Sequence, residues 1–175
     1  MADAEQIKRA AERNIKAMSL RSSVGQGTAT TTVRVRSGAT ACDIEDGPWK
    51  LVADLDRGMG GGAEGPDPGV FARSGLGACL AVGYLLWAAR LGVQLDNVQV
   101  VIETDYDARG MYAVNEDVSP GWGGVRCTVT IASPDAPERV REVVERADRY
   151  SPIFDDFTRA LDIKRELRID TRKEA

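Results

Sequence analysis

The chain contains no histidine. That absence excludes Ser-His-Asp triads, Cys-His dyads and His-ligated zinc. Cysteine is sparse: Cys42, Cys79 and Cys127 stand far apart, with no C-x-x-C pair. An odd, scattered set is no disulfide framework and suits a reducing cytoplasm. No long basic run occurs, and the formal net charge is −4 with a pI near 5.0. Phosphate neutralisation needs clustered Lys and Arg, so a nucleic-acid partner is not expected. The N-terminus, MADAEQIKRAAERNIKAM, lacks the apolar core of a signal peptide. The uncharged stretch from Ser74 to Ala89 is short for a bilayer span and holds three glycines. It reads as a buried core helix, with no membrane partner.

What is present is an ordinary soluble balance, 43% hydrophobic and 29% charged, in 175 residues. That length suits one domain, or one subunit of an intertwined oligomer. Residues 1–20 read as a helical extension, amphipathic and charged from Ala4 to Met18. Three strands follow. In TATTTVRVRS, Val33 and Val35 alternate with Arg34 and Arg36. TACDIED puts Cys42 and Ile44 on one face. In PWKLVADLDR, Trp49, Leu51, Ala53 and Leu55 share a parity, and Arg57 falls on it too. A strand reaching Arg57 would point this cation where the apolar side chains point.

Gly58 to Gly69, GMGGGAEGPDPG, is a loop. A long helix is predicted from about Pro68 to Leu91, with Asp67 as cap and Gly92 as its end. NVQVVIETDYD and VRCTVTI are strands separated by a variable loop. PERVREVVERADRY is an amphipathic helix, and SPIFDDFTRAL starts another, with Ser151 as N-cap and Pro152 in its first turn. IKRELRI, residues 163–169, reads as a final strand. The predicted class is α+β, with antiparallel sheet packed on helices.

Cys42 and Cys127 fall on the apolar faces of their strands and read as small buried hydrophobes. Cys79 differs. On a helix, Gly75, Cys79 and Gly83 form one row, with Phe71 and Trp87 at its ends. Glycine has no side chain, so the row is a shallow trough. Two readings are open: a second helix packs into the trough, or a small substrate reaches the sulfur there. Chemistry would need a cation beside the sulfur, because the thiolate is the nucleophile. Arg57 precedes the loop leading into this helix, and its planar fork can hold a thiolate and a peroxide oxygen together. A solvated strand-end charge is the plain alternative. Arg73 lies six residues before Cys79, which puts the two on different helix faces.

These stretches resemble the OsmC/Ohr family, the osmotically inducible protein C and organic hydroperoxide resistance proteins. The similar pieces are GPDPGVFARSGLGACLAVGYLLWAARLGVQLDNVQVVIETD and ADRYSPIFDDFTRAL. The resemblance covers roughly Arg57 to the C-terminus. It implies antiparallel sheets around two central helices, an intertwined homodimer, and two sites at the subunit boundary. It implies reduction of organic hydroperoxides by cysteine, with no metal or cofactor. By position, Cys79 matches the cysteine that attacks the peroxide and Arg57 the arginine that activates it. The resolving cysteine of the family's pattern corresponds to Ser151, and a hydroxyl cannot form a disulfide. A glutamate ten residues before the first cysteine corresponds to Gly69; Glu64, in the loop, is the available substitute. The expected activity is a one-cysteine hydroperoxide reductase that depends on an external thiol. The alternative is a catalytically degenerate relative binding a small apolar or anionic ligand at the dimer interface. A third role, an interaction subunit extended by the N-terminal helix, is compatible with residues 4–18.

Overall fold

A computed structural model describes residues 3–169. The first helix, α1 (Ala4–Leu20), begins where the Asp3 carboxylate accepts from the Gln6 N–H. Strands β1 (Thr32–Val35), β2 (Cys42–Asp46) and β3 (Trp49–Ala53) form an antiparallel sheet in the order β1-β2-β3. Its register sets Val33 opposite Ile44 and Ile44 opposite Leu51. The period of two therefore collects Val33, Val35, Cys42, Ile44, Trp49, Leu51 and Ala53 on one face.

Strand β3 stops at Ala53, so the condition for Arg57 to share that face is not met. The cause is Asp54, only 3% exposed. Its carboxylate accepts from the Thr40 hydroxyl at 2.6 Å and from the N–H groups of Leu55, Gly62 and Glu64. These bonds fold the glycine-rich loop back over the strand end. Gly65 is required there, because a Cβ would lie 2.3 Å from the Val52 carbonyl oxygen. Arg57 itself opens a short 3₁₀ turn, Arg57–Met59.

Helix α2 (Pro68–Leu91) has the predicted bounds. Asp67 accepts from the N–H groups of Gly69 and Val70, and Gly92 ends the helix at φ 64°. Strands β4 (Asn97–Asp105) and β5 (Gly124–Ala132) make a second antiparallel sheet, with the short helix α3 (Ala108–Met111) between them. Helices α4 (Pro137–Arg149) and α5 (Pro152–Thr158) follow. The core is built on α2: Leu76, Leu80, Tyr84 and Ala88 pack with Val93 and with Val143 and Ala147 of α4. Val98, Val100, Ile102 and Val129 close it from the second sheet. Helix α1 lies along the far end of α2, leaving a groove of about 710 Å³ beside Ile7, Leu85, Ala88, Val93 and Leu95.

Three expectations change. Residues 163–169 form no strand. A strand needs a neighbour's backbone groups, and this segment pairs with no strand among the described residues. Cys127 is exposed rather than buried. The second sheet is two strands wide, and the helices cover Val129 but leave Val125 and Cys127 uncovered. Cys42 is only half-buried, because the apolar face it shares packs extensively on no helix.

That bare face is the main irregularity of the fold. Val35 is 67% and Trp49 69% exposed, and Val33 and Leu51 are exposed as well. Helix α2 has a matching feature. It is long and apolar enough to cross a membrane by length and composition, yet only 17% of its most apolar window is buried within the chain. Leu76, Leu80, Tyr84 and Ala88 are buried along one side, while Val82, Leu85 and Leu86 on the other are exposed.

Candidate active site

The glycine row of α2 meets its surroundings unequally. At Gly83, the Ala147 Cβ of α4 lies 3.6 Å from where a Cβ would be. Helix α4 packs there, as the structural reading of the trough requires. At Gly75, an added Cβ would meet nothing within 4 Å. The trough is therefore filled at one end and open at the other. Cys79, half-buried, lies between the two.

The Cys79 Sγ lies 3.3 Å from the Ser151 Oγ, within hydrogen-bond reach. These residues are 72 positions apart and meet because α4 lies on α2 and turns into α5 beside the trough. Ser151 is 4% exposed. It starts α5 but makes no side-chain cap bond. Below this pair, the buried Tyr84 hydroxyl donates to the Asp148 carboxylate at 2.8 Å. Burial, then the bond to Asp148, raises the Tyr84 phenol above its usual range, so it stays a donor. Cys127 lies near the same carboxylate: partial desolvation of its sulfur by the neighbouring side chains, then the Asp148 charge, pushes its thiol up. That makes Cys127 a poorer nucleophile than an ordinary cysteine.

Trp87, half-buried, extends the row. It stacks on Tyr150 with ring centroids 5.4 Å apart, and the Arg90 guanidinium lies 3.9 Å from its ring centre. Phe71, at the other end, is half-buried. Arg57 is exposed, and its side chain makes no hydrogen bond or ion pair among the described residues. Glu64 is engaged elsewhere: it pairs with Arg36, which also binds Asp43 at 2.6 Å. Gly69 faces another guanidinium, since a Cβ there would lie 3.2 Å from Arg73 Nη1. Arg73 approaches the Thr104 hydroxyl at 3.5 Å and lines an open cavity of about 340 Å³ with Val70, Ser74, Gly77, Val100 and Ile102. No group of side chains among the described residues is arranged to hold a metal ion.

Within one chain, then, Cys79 and Ser151 come together, with Gly75, Gly83 and Trp87 along the same row. Arg57 and Glu64 belong to the sheet side of the molecule. Sequence reading missed Tyr84 and Asp148. A tyrosine inside the uncharged stretch from Ser74 to Ala89 was the one available signal, since a buried phenol needs a partner.

Comparison with known proteins follows this geometry. The family model described as OsmC-like protein matches residues 60–166. The chain belongs to the OsmC-like family. It is similar to an OsmC-like protein of Mycoplasma pneumoniae, with a TM-score of 0.65 at 14% identity, over 76% of this chain and 89% of that one. It is also similar to an organic hydroperoxide resistance protein OsmC of Legionella pneumophila, with a TM-score of 0.54 at 19% identity, over 74% and 88%. A hypothetical protein of Aquifex aeolicus aligns with a TM-score of 0.59 at 7% identity, over 76% and 89%. At these identities the likeness carries the fold. No curated protein matches the sequence.

Proposed function

We propose that this protein is a one-cysteine, thiol-dependent reductase of organic hydroperoxides, working as a homodimer in the cytoplasm. The observation that carries the reading is the placement of Cys79. The sulfur lies in a trough open at Gly75, and the side chain against it is a hydroxyl rather than a second thiol. The likeness to a protein named for organic hydroperoxide resistance supports the substrate class.

The Cys79 thiolate attacks the terminal peroxide oxygen. The O–O bond breaks, an alcohol leaves, and the sulfur becomes a sulfenic acid. Ser151 cannot condense with it to a disulfide. An external thiol therefore forms a mixed disulfide with Cys79 and releases water, and a second thiol frees Cys79 as the reductant's disulfide. Apolar trough walls favour organic peroxides over hydrogen peroxide.

The homodimer draws support from two bare apolar surfaces. The face of β1–β3 and the Val82–Leu86 side of α2 are too large and apolar to be left to water in a stable monomer. A second copy that covers both brings Arg57 to the partner's Cys79, where its fork stabilises the thiolate and the developing alkoxide.

A second reading, a catalytically degenerate relative that binds a small anionic molecule, has one observation in its favour. Arg73 lines the 340 Å³ cavity without a carboxylate partner among the described residues, and Gly69 supplies none. One experiment separates the two. The protein is treated with one equivalent of cumene hydroperoxide in the presence of dimedone and read by mass spectrometry. A dimedone adduct on Cys79 alone, with loss of steady-state peroxide consumption in Cys79→Ser, is expected. Consumption that survives Cys79→Ser overturns the peroxidase.

A further inference from the structure

We propose that the Ser151 hydroxyl is the hydrogen-bond donor to the Cys79 sulfur when it reacts, and that it fixes the sulfur's direction in the trough. The inference rests on the peroxidase reading of the same site and adds a residue to it.

The geometry gives the hydroxyl one job. A serine at the start of a helix ordinarily accepts from an N–H two or three residues on. Ser151 starts α5, yet its side chain makes no such bond. Its backbone N–H donates instead to the Asp148 carbonyl at 3.3 Å, which anchors the residue to the end of α4. The hydroxyl oxygen is left with the Cys79 sulfur at 3.3 Å as its side-chain partner among the described residues. Ser151 is almost fully buried, so water does not compete for that hydrogen.

The chemistry then sets the direction of the bond. Between a thiol and a hydroxyl, either atom can donate. A thiolate has no hydrogen, so the hydroxyl must donate to it. A bond to an ionised acceptor is roughly twice as strong as one between neutral groups. No Lys or Arg among the described residues hydrogen-bonds the sulfur within the chain, so the hydroxyl supplies the polar contact that a single chain can offer. The same donor remains in place after the sulfur is oxidised, because an alcohol is inert towards a sulfenic acid here.

The test avoids peroxide. Iodoacetamide at pH 7 alkylates the native dimer, and site-resolved mass spectrometry follows Cys79 with Cys42 and Cys127 as internal references. Ser151→Ala is expected to slow alkylation of Cys79 about tenfold relative to those references. Ser151→Thr, which keeps a hydroxyl, restores the rate to within about threefold. Equal rates in wild type and Ser151→Ala overturn the proposal. A thermal melt of each variant separates this effect from loss of the fold. A second arm tests the contact itself. In Ser151→Cys, diamide takes two electrons and two protons from the two thiols to give an intrachain 79–151 disulfide. Failure to form it shows that the two γ atoms are not neighbours, and it overturns the proposal. Because neither arm uses a hydroperoxide, a wild-type protein inert to cumene hydroperoxide that still shows the alanine effect overturns the peroxidase reading alone.

Discussion

The helical half of the molecule and its three-stranded sheet are finished to different degrees. Where α2 faces α4 the apolar residues are covered and the buried polar ones are paired: Tyr84 with Asp148, Ser151 with Cys79. The sheet has the same alternating pattern but leaves its apolar face uncovered. Under the proposed function, this contrast marks the line along which the site is shared. The side of α2 that a single chain covers holds the sulfur and its hydroxyl. The half left open carries Arg57, on a turn just past β3. If apolar burial drives assembly, the face that closes the dimer also delivers the guanidinium.

The sharpest way to break this comparison is Arg57→Ala. Removing a preorganised donor from a developing anion typically costs about 100-fold or more. Single-turnover oxidation of Cys79 by cumene hydroperoxide should slow by at least that factor, with the melting temperature almost unchanged, since Arg57 is exposed. Next comes Leu51→Lys, which puts a charge in the middle of the bare sheet face. An unpaired charge buried in an interface costs enough to weaken association by roughly two to three decades. Analytical ultracentrifugation should show a shift towards monomer, and Cys79 oxidation should slow in proportion. A monomeric Leu51→Lys protein with full activity would sink the idea that Arg57 acts across the boundary.

The smallest effect concerns the closure of the loop over β3. Four donors hold the Asp54 carboxyl below its ordinary range, the Thr40 hydroxyl first among them. A depressed folded-state value means the folded chain gives up this proton more readily than the unfolded one. The stabilisation is therefore fully present above the ordinary carboxylate range, near pH 4, and fades as pH falls through the lower folded value. Melting temperatures between pH 2 and 5 should fall less steeply for Asp54→Asn than for wild type. Parallel curves would remove Asp54 from the account.

Much of the fold can be read along the chain. The bounds of α2 follow from Asp67, Pro68 and Gly92, three residues that act within one turn of their own positions. The trough follows from the spacing of Gly75, Cys79 and Gly83. Other features cannot be read that way. Nothing near Glu64 in sequence says that it binds Arg36, 28 residues earlier. Nothing in PWKLVADLDR says that Asp54 ends the strand by gathering loop N–H groups. Alternation in IKRELRI reports a strand's side-chain pattern but does not supply the neighbouring strand that such a pattern needs.

The helix bounds, the helix rows, the strand faces and the candidate sulfur follow from residue order alone, because each depends on backbone periodicity and on side chains a few residues apart. Packing in three dimensions settled that the Ser151 hydroxyl meets that sulfur, that the Tyr84 hydroxyl donates to Asp148, and that the Arg57 side chain bonds to neither among the described residues of one chain. Those outcomes depend on how α4 and the loop after β3 are laid down in space. A hydrogen bond between groups 72 residues apart is set by the packing of the helices that carry them.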